Sequence, residues 1–149
     1  MLEKLKNIGI IAIPLIVGLI STLFVDFNFY KEINLPKIAP PAILFPIVWT
    51  ILYILIGISL YLILRDGKTK ENIILFIVQL FINFIWVICF FKFRLFLGSF
   101  ILIIILDCVV LYSILEYYKY NKVSSYLLIP YLLWILFASY LNWMVFILN

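Results

Sequence analysis

Five stretches of the chain, approximately residues 7–25, 41–64, 72–91, 95–117 and 124–148, are apolar almost without interruption. A helix needs ~20 such residues to cross the hydrocarbon core of a bilayer. Short polar connections separate the runs, at 26–40, 65–71, 92–94 and 118–123. In lipid every backbone N–H and C=O must find its partner within the protein, so only helices or closed barrels can span. Barrel strands alternate apolar and polar residues over ~10 positions, and these runs do not. The sequence therefore predicts an all-α fold, a single transmembrane domain of five helices covering residues 1–149. Composition agrees: 68% of the residues are hydrophobic and 12% charged, against about a quarter charged in soluble domains. A soluble domain of ~150 residues leaves roughly 30% of its chain surface in water, far too much for this chain. Soluble enzymes, nucleic-acid binders and secreted disulfide scaffolds are excluded.

Met1–Lys6 followed by an apolar run has the outline of a signal peptide. The run is too long for an h-region and lacks a small-x-small cleavage site, so it reads as a retained first span. With five spans, Lys4, Lys6, Arg65, Lys68, Lys70, Lys119 and Lys122, seven of the eleven basic residues, fall on one side. Lys31, Lys37, Lys92 and Arg94 fall on the other. Basic loops stay in the cytoplasm, which predicts the N-terminus inside and the C-terminus outside, in a bacterial cell membrane. The net charge of +4 then reports orientation and anionic lipid rather than nucleic acid.

The chain has no histidine. Imidazole acid–base catalysis, His-ligated metal and His-ligated haem are thereby removed; no metal site is expected and no cofactor is required. Cys89 and Cys108 lie inside apolar runs without CxxC spacing and read as small hydrophobes.

Since apolar helices say little about function, the information lies in their exceptions. Trp49, Tyr53 and Gly57 recur at i, i+4, i+8 on the second span, and so share a face. The third span carries Gln79, Asn83, Trp86 and Phe90 at i, i+4, i+7, i+11. Pro130, Trp134, Ala138 and Asn142 repeat along the fifth, flanked by Tyr131 and Leu141. Amides in mid-membrane are costly unless they face the bundle interior, so the three stripes should converge. Their meeting makes a pocket with aromatic walls and a few amides, suited to a flat, largely apolar ligand, with Gly57 and Ala138 leaving room for it. The 26–40 loop is long enough to be its lid, and Pro40 and Pro41 should start the second helix. Asp107, the one acid well inside a span, reads as hydrogen-bonded between helices, for instance to Tyr112 or Ser113, or alternatively as a proton or cation site. Gly18, Ser21 and Thr22 make a small-residue patch suited to helix association, dimerisation included.

These residues resemble those of the translocator protein or tryptophan-rich sensory protein (TspO) family. Leu127 to Trp134, continuing through Phe137, Ala138, Leu141 and Asn142, is similar to the family pattern LL-x-PY-x-x-W-x-x-FA-x-x-LN. Pro40, Pro41, Phe45, Pro46, Trp49, Thr50 and Tyr53 match a second block. Gln79, Leu80, Asn83, Trp86, Phe90 and Phe91 match a third. The resemblance implies a membrane receptor or binding protein for tetrapyrroles, protoporphyrin and haem-like compounds, acting in their sensing, scavenging or regulation. It also implies contact with membrane lipid, and often homodimers. Carried over by motif position, the ligand-binding residues are Tyr30, Trp49, Tyr53, Gln79, Asn83, Trp86, Trp134 and Ala138. Without histidine, packing and hydrogen bonds would hold the tetrapyrrole. Two alternatives are light- and oxygen-dependent porphyrin breakdown, resting on Trp134, and transport of porphyrins or lipids. Ile38 and Ile43 stand where many relatives have Trp. A sterol-recognition pattern is missing, because no Lys or Arg follows Tyr140.

Overall fold

The computed structural model describes Met1–Asn149 and contains helices but no strand: α1 (Leu2–Ser21), α2 (Phe29–Glu32), α3 (Leu44–Asp66), α4 (Lys70–Val87), α5 (Phe96–Tyr118), α6 (Lys122–Leu127) and α7 (Ile129–Leu148). Five helical segments are long and apolar enough to cross a membrane. They are α1 with a 3₁₀ turn through Phe24, α3, α4 with a π-helical turn through Lys92, α5, and α6 with α7.

The expected spans are found with two physical adjustments. Helix α1 begins at Leu2 rather than near residue 7, because the charged Glu3, Lys4 and Lys6 can be helical while staying in water. Apolar length marks where lipid begins, not where a helix does. The fifth span is two helices rather than one. Pro130 has no N–H to give, and the helix turns at Leu128, whose N–H bonds Ser125 O at 3.1 Å. Pro130 then occupies the first turn of α7, where a missing N–H costs nothing. The double proline does not start α3 directly. Pro41 accepts from Leu44 N at 3.0 Å in a turn, and Pro46 is the proline inside the first helical turn.

Around the bundle, α1 packs on α3 and α4, α4 on α5, and α5 on α6 and α7. Helix α3 closes the ring against α6 and touches α7 only sparingly. Lipid is as apolar as leucine, so close backbone approach and hydrogen bonds must hold these helices together. A Cβ on Gly57 would overlap the carbonyl of Ile11; this glycine seats α1 on α3 and does not leave room for a ligand, as its place in the stripe had implied. Ser59 and Ser124 lock α3 to α6 reciprocally, each hydroxyl reaching the other's carbonyl at 2.8 and 2.9 Å. Tyr117 Oη donates to Asn72 O at 3.1 Å between α5 and α4. Ile101, Ile104, Leu111 and Leu115 of α5 stay exposed, as a lipid-facing surface requires.

Candidate functional site

The site begins with the loop between α1 and α3. Asp26 Oδ1 accepts from Asn28 N at 3.0 Å and turns the chain into α2. Phe29 is then buried, with the rings of Phe90 and Phe91 each 5.2 Å away and that of Phe96 at 6.2 Å. The π turn ending α4 brings Phe90 and Phe91 to it, and such turns often mark functional regions. Arg94 follows in the left-handed region, φ 54°. Its guanidinium lies 5.7 Å over the Phe29 ring, bonds Glu32, and reaches Asp26 Oδ2 at 3.4 Å. Midway along the loop, Asn34 N donates to Asn149 Oδ1 and Asn149 Nδ2 to Asn34 O, both at 2.9 Å. The loop is therefore fastened at three points over one end of the bundle.

Beneath it lies a cavity of about 470 Å³ between α1, α3 and the end of α4. Leu15, Gly18 and Leu19 of α1 form one wall; Pro46, Trp49 and Tyr53 of α3 form another; Asp26 and Tyr30 come from the loop. Trp49 and Tyr53 are stacked, centroids 5.4 Å apart at 30°. A second space of about 20 Å³ is bordered by Trp86, Ala138 and Asn142 together with Leu35 and Ala39 of the loop. Tyr30, Phe45 and Phe91 border both spaces. Burial pushes the Tyr30 hydroxyl well above its usual pKa, so it remains a donor at any ordinary pH.

Behind the aromatic wall the three stripes converge. Tyr53 Oη donates to Asn83 Oδ1 at 2.7 Å, and Asn83 Nδ2 donates to Tyr131 Oη at 3.3 Å, tying α3, α4 and α7 together. Trp86 Nε1 donates to Asn142 Oδ1 at 3.1 Å, whose Nδ2 donates to Phe96 O at 2.7 Å. Trp49 lies 6.1 Å from Trp86 and 6.2 Å from Tyr131, ring to ring.

Of the expected binding residues, Tyr30, Trp49 and Tyr53 line the larger cavity, and Tyr30, Trp86 and Ala138 the smaller. Asn83 stands behind Tyr53 as its acceptor. Gln79 is buried and borders neither space, and its amide nitrogen and oxygen have no protein partner. Trp134 also borders neither; its ring contacts Phe45 at 5.7 Å and its Nε1 is unpaired. Asp107 accepts from Ser139 Oγ at 2.7 Å, not from Tyr112, which bonds Glu71, nor from Ser113, which bonds Val109 O.

Sequence reasoning missed the α1 wall. Gly18 and Ser21 are buried toward the bundle, and a Cβ on Gly18 would strike the Tyr53 ring. The association expected of this patch occurs within the chain, where Gly18 of α1 seats the pocket tyrosine of α3, while Thr22 is exposed. The i, i+3 pairing of Gly18 with Ser21 was the available signal. The fastening by Arg94 left none, because it joins residues 62 and 68 positions apart.

The fold and site define an integral, multi-pass membrane protein of five spans, with an aromatic cavity roofed by its first loop. The chain belongs to the TspO/MBR family, whose profile matches residues 10–148. It is similar to the tryptophan-rich protein TspO of Archaeoglobus fulgidus, 38% identical over 97% of both chains. It also resembles the protein of that name in Chlorobaculum tepidum, 37% identical over 81% of this chain and 79% of the other. The translocator protein of Ovis aries is 26% identical over 91% of this chain and 85% of its own.

Proposed function

We propose that this protein is a membrane receptor for tetrapyrroles of the protoporphyrin and haem type, and that the cavity between α1 and α3 is where they bind. The observation that carries this reading is the cavity of about 470 Å³ faced by the stacked pair Trp49 and Tyr53. Ligand sites are usually apolar clefts of ~300–1,000 Å³ with a few polar groups. A planar macrocycle stacks on indole and phenol rings, gaining ~0.5–1.5 kcal/mol per ring beyond area burial. Tyr30 supplies a hydroxyl in the lining, whereas that of Thr50 is donated to Pro46 O at 2.7 Å. Larger ligands reach the second space when Tyr30, Phe45 and Phe91 turn aside, since rotamer changes at binding sites are common even where backbones stay still.

A sensing or scavenging role suits a site held by packing and hydrogen bonds alone. It also fits relatives named as tryptophan-rich sensory protein in Cereibacter sphaeroides and translocator protein in Sus scrofa. The basic bias of the α3–α4 and α5–α6 connections supports a roofed end that faces away from the cytoplasm. The test is a titration of the detergent-solubilised protein with protoporphyrin IX, followed by tryptophan fluorescence. Saturable quenching at one site per chain supports the reading. Quenching that rises linearly without saturation overturns it.

A further inference from the structure

Asp26 lines the large cavity, and the cation it faces is Arg94. Glu32 takes Arg94 Nη2 in a close pair. Asp26 Oδ2 reaches the same nitrogen only at 3.4 Å, while its other oxygen is held by Asn28 N at 3.0 Å. Asp26 therefore keeps a partner if its contact with the guanidinium is given up. A guanidinium offers five N–H donors in a fork matched to carboxylates, and only Nη2 of Arg94 is engaged by the protein. The Arg94 side chain is 38% exposed, and its left-handed backbone and its stacking over Phe29 hold it in place. An apolar cavity with a half-engaged, fixed guanidinium one residue beyond its lining has two unlike ends.

We propose that Arg94 is the anion-recognising residue of this cavity: a carboxylate on the ligand takes the contact now made by Asp26, while the ligand's flat apolar body lies against Trp49 and Tyr53. This rests on the reading of the cavity as a tetrapyrrole site and narrows the ligand class to amphipathic macrocycles bearing at least one free carboxylate. Asp26 is then a built-in competitor that occupies Arg94 between ligands. Glu32 holds the guanidinium without blocking its remaining donors.

The experiment compares protoporphyrin IX with its dimethyl ester, which keeps the ring and removes the negative charges. Wild-type protein is expected to bind the acid about tenfold more tightly, the scale of one charge-assisted hydrogen bond, and the preference should shrink as salt is raised. R94Q should bind acid and ester with equal affinity, whatever the loosening of the loop costs both forms alike. D26N, which removes the competitor and leaves the Arg94–Glu32 pair, should widen the preference, and it serves as the independent variant if R94Q does not fold. Equal binding of acid and ester by the wild type, a preference that survives R94Q, or no widening in D26N overturns the proposal. Failure of both forms to bind the wild type overturns instead the reading of the cavity on which it rests.

Discussion

Tyr53 of α3 donates its phenolic hydrogen to Asn83 Oδ1 of α4 at 2.7 Å, with both side chains buried. One face of this tyrosine stacks on Trp49 in the cavity wall, and its edge rests where Gly18 of α1 has no side chain. It is the residue through which three helices and the cavity meet.

Removing the hydroxyl alone tests the bond. Tyr53→Phe leaves Asn83 Oδ1 buried without its donor. Interhelical hydrogen bonds in membranes average ~0.6 kcal/mol and reach ~1.7, so about 1 kcal/mol of stability should be lost in detergent unfolding. Tyr53→Phe combined with Asn83→Leu should cost less than the two single changes summed, because neither partner is then left unpaired.

The two packed glycines should differ in kind. At Gly57 the obstacle is the backbone of Ile11, which cannot turn aside, and overpacking costs ~1–3 kcal/mol. Gly57→Ala should lower the melting temperature sharply by separating α1 from α3. Gly18→Ala meets a side chain instead. It should displace the Tyr53 ring into the cavity, weaken porphyrin binding, and cost less stability than Gly57→Ala.

Gln79 and Asn83 look alike in sequence, one turn apart, yet the structure separates them. Asn83 has a partner for both amide atoms, whereas Gln79 has none for either. Replacing a buried amide that lacks partners by an apolar group of similar shape is neutral or stabilising. Gln79→Leu should therefore leave the melting temperature unchanged or raise it, and Asn83→Leu should lower it.

The loop's fastening to the last residue should be separable from the fold. Asn149→Ala removes the paired bonds to Asn34 and leaves Arg94 in place. Amide exchange across residues 29–35 should quicken while that of α3 and α5 is unchanged.

Much of this architecture is legible in the residue order, for physical reasons. Apolar length decides what crosses a bilayer, so the five spans could be read directly. The periodicity of Trp49 with Tyr53, and of Asn83 with Trp86, placed them on inward faces, and the bonds to Tyr131 and Asn142 follow from that placement. Periodicity does not say which neighbour an inward face meets. Gly57 was legible as small and inward, but only the packing of α1 shows that backbone fills its place. Trp134 shares a stripe with Ala138, yet its ring lies against Phe45 of α3 and borders neither space. The α1 wall and the Arg94 fastening depend on contacts between distant segments, which no local pattern encodes.

Single-tryptophan substitutions test whether the cavity faced by Trp49 is the tetrapyrrole site. Protoporphyrin IX affinity should be measured for wild type, Trp49→Leu and Trp143→Leu, the last lying with Phe100 and Phe146 away from both spaces. Trp49→Leu should weaken binding by about tenfold, the loss of one aromatic stack, and Trp143→Leu should leave it unchanged. Equal affinities for wild type and Trp49→Leu, or a larger loss in Trp143→Leu, would place the ligand outside this cavity.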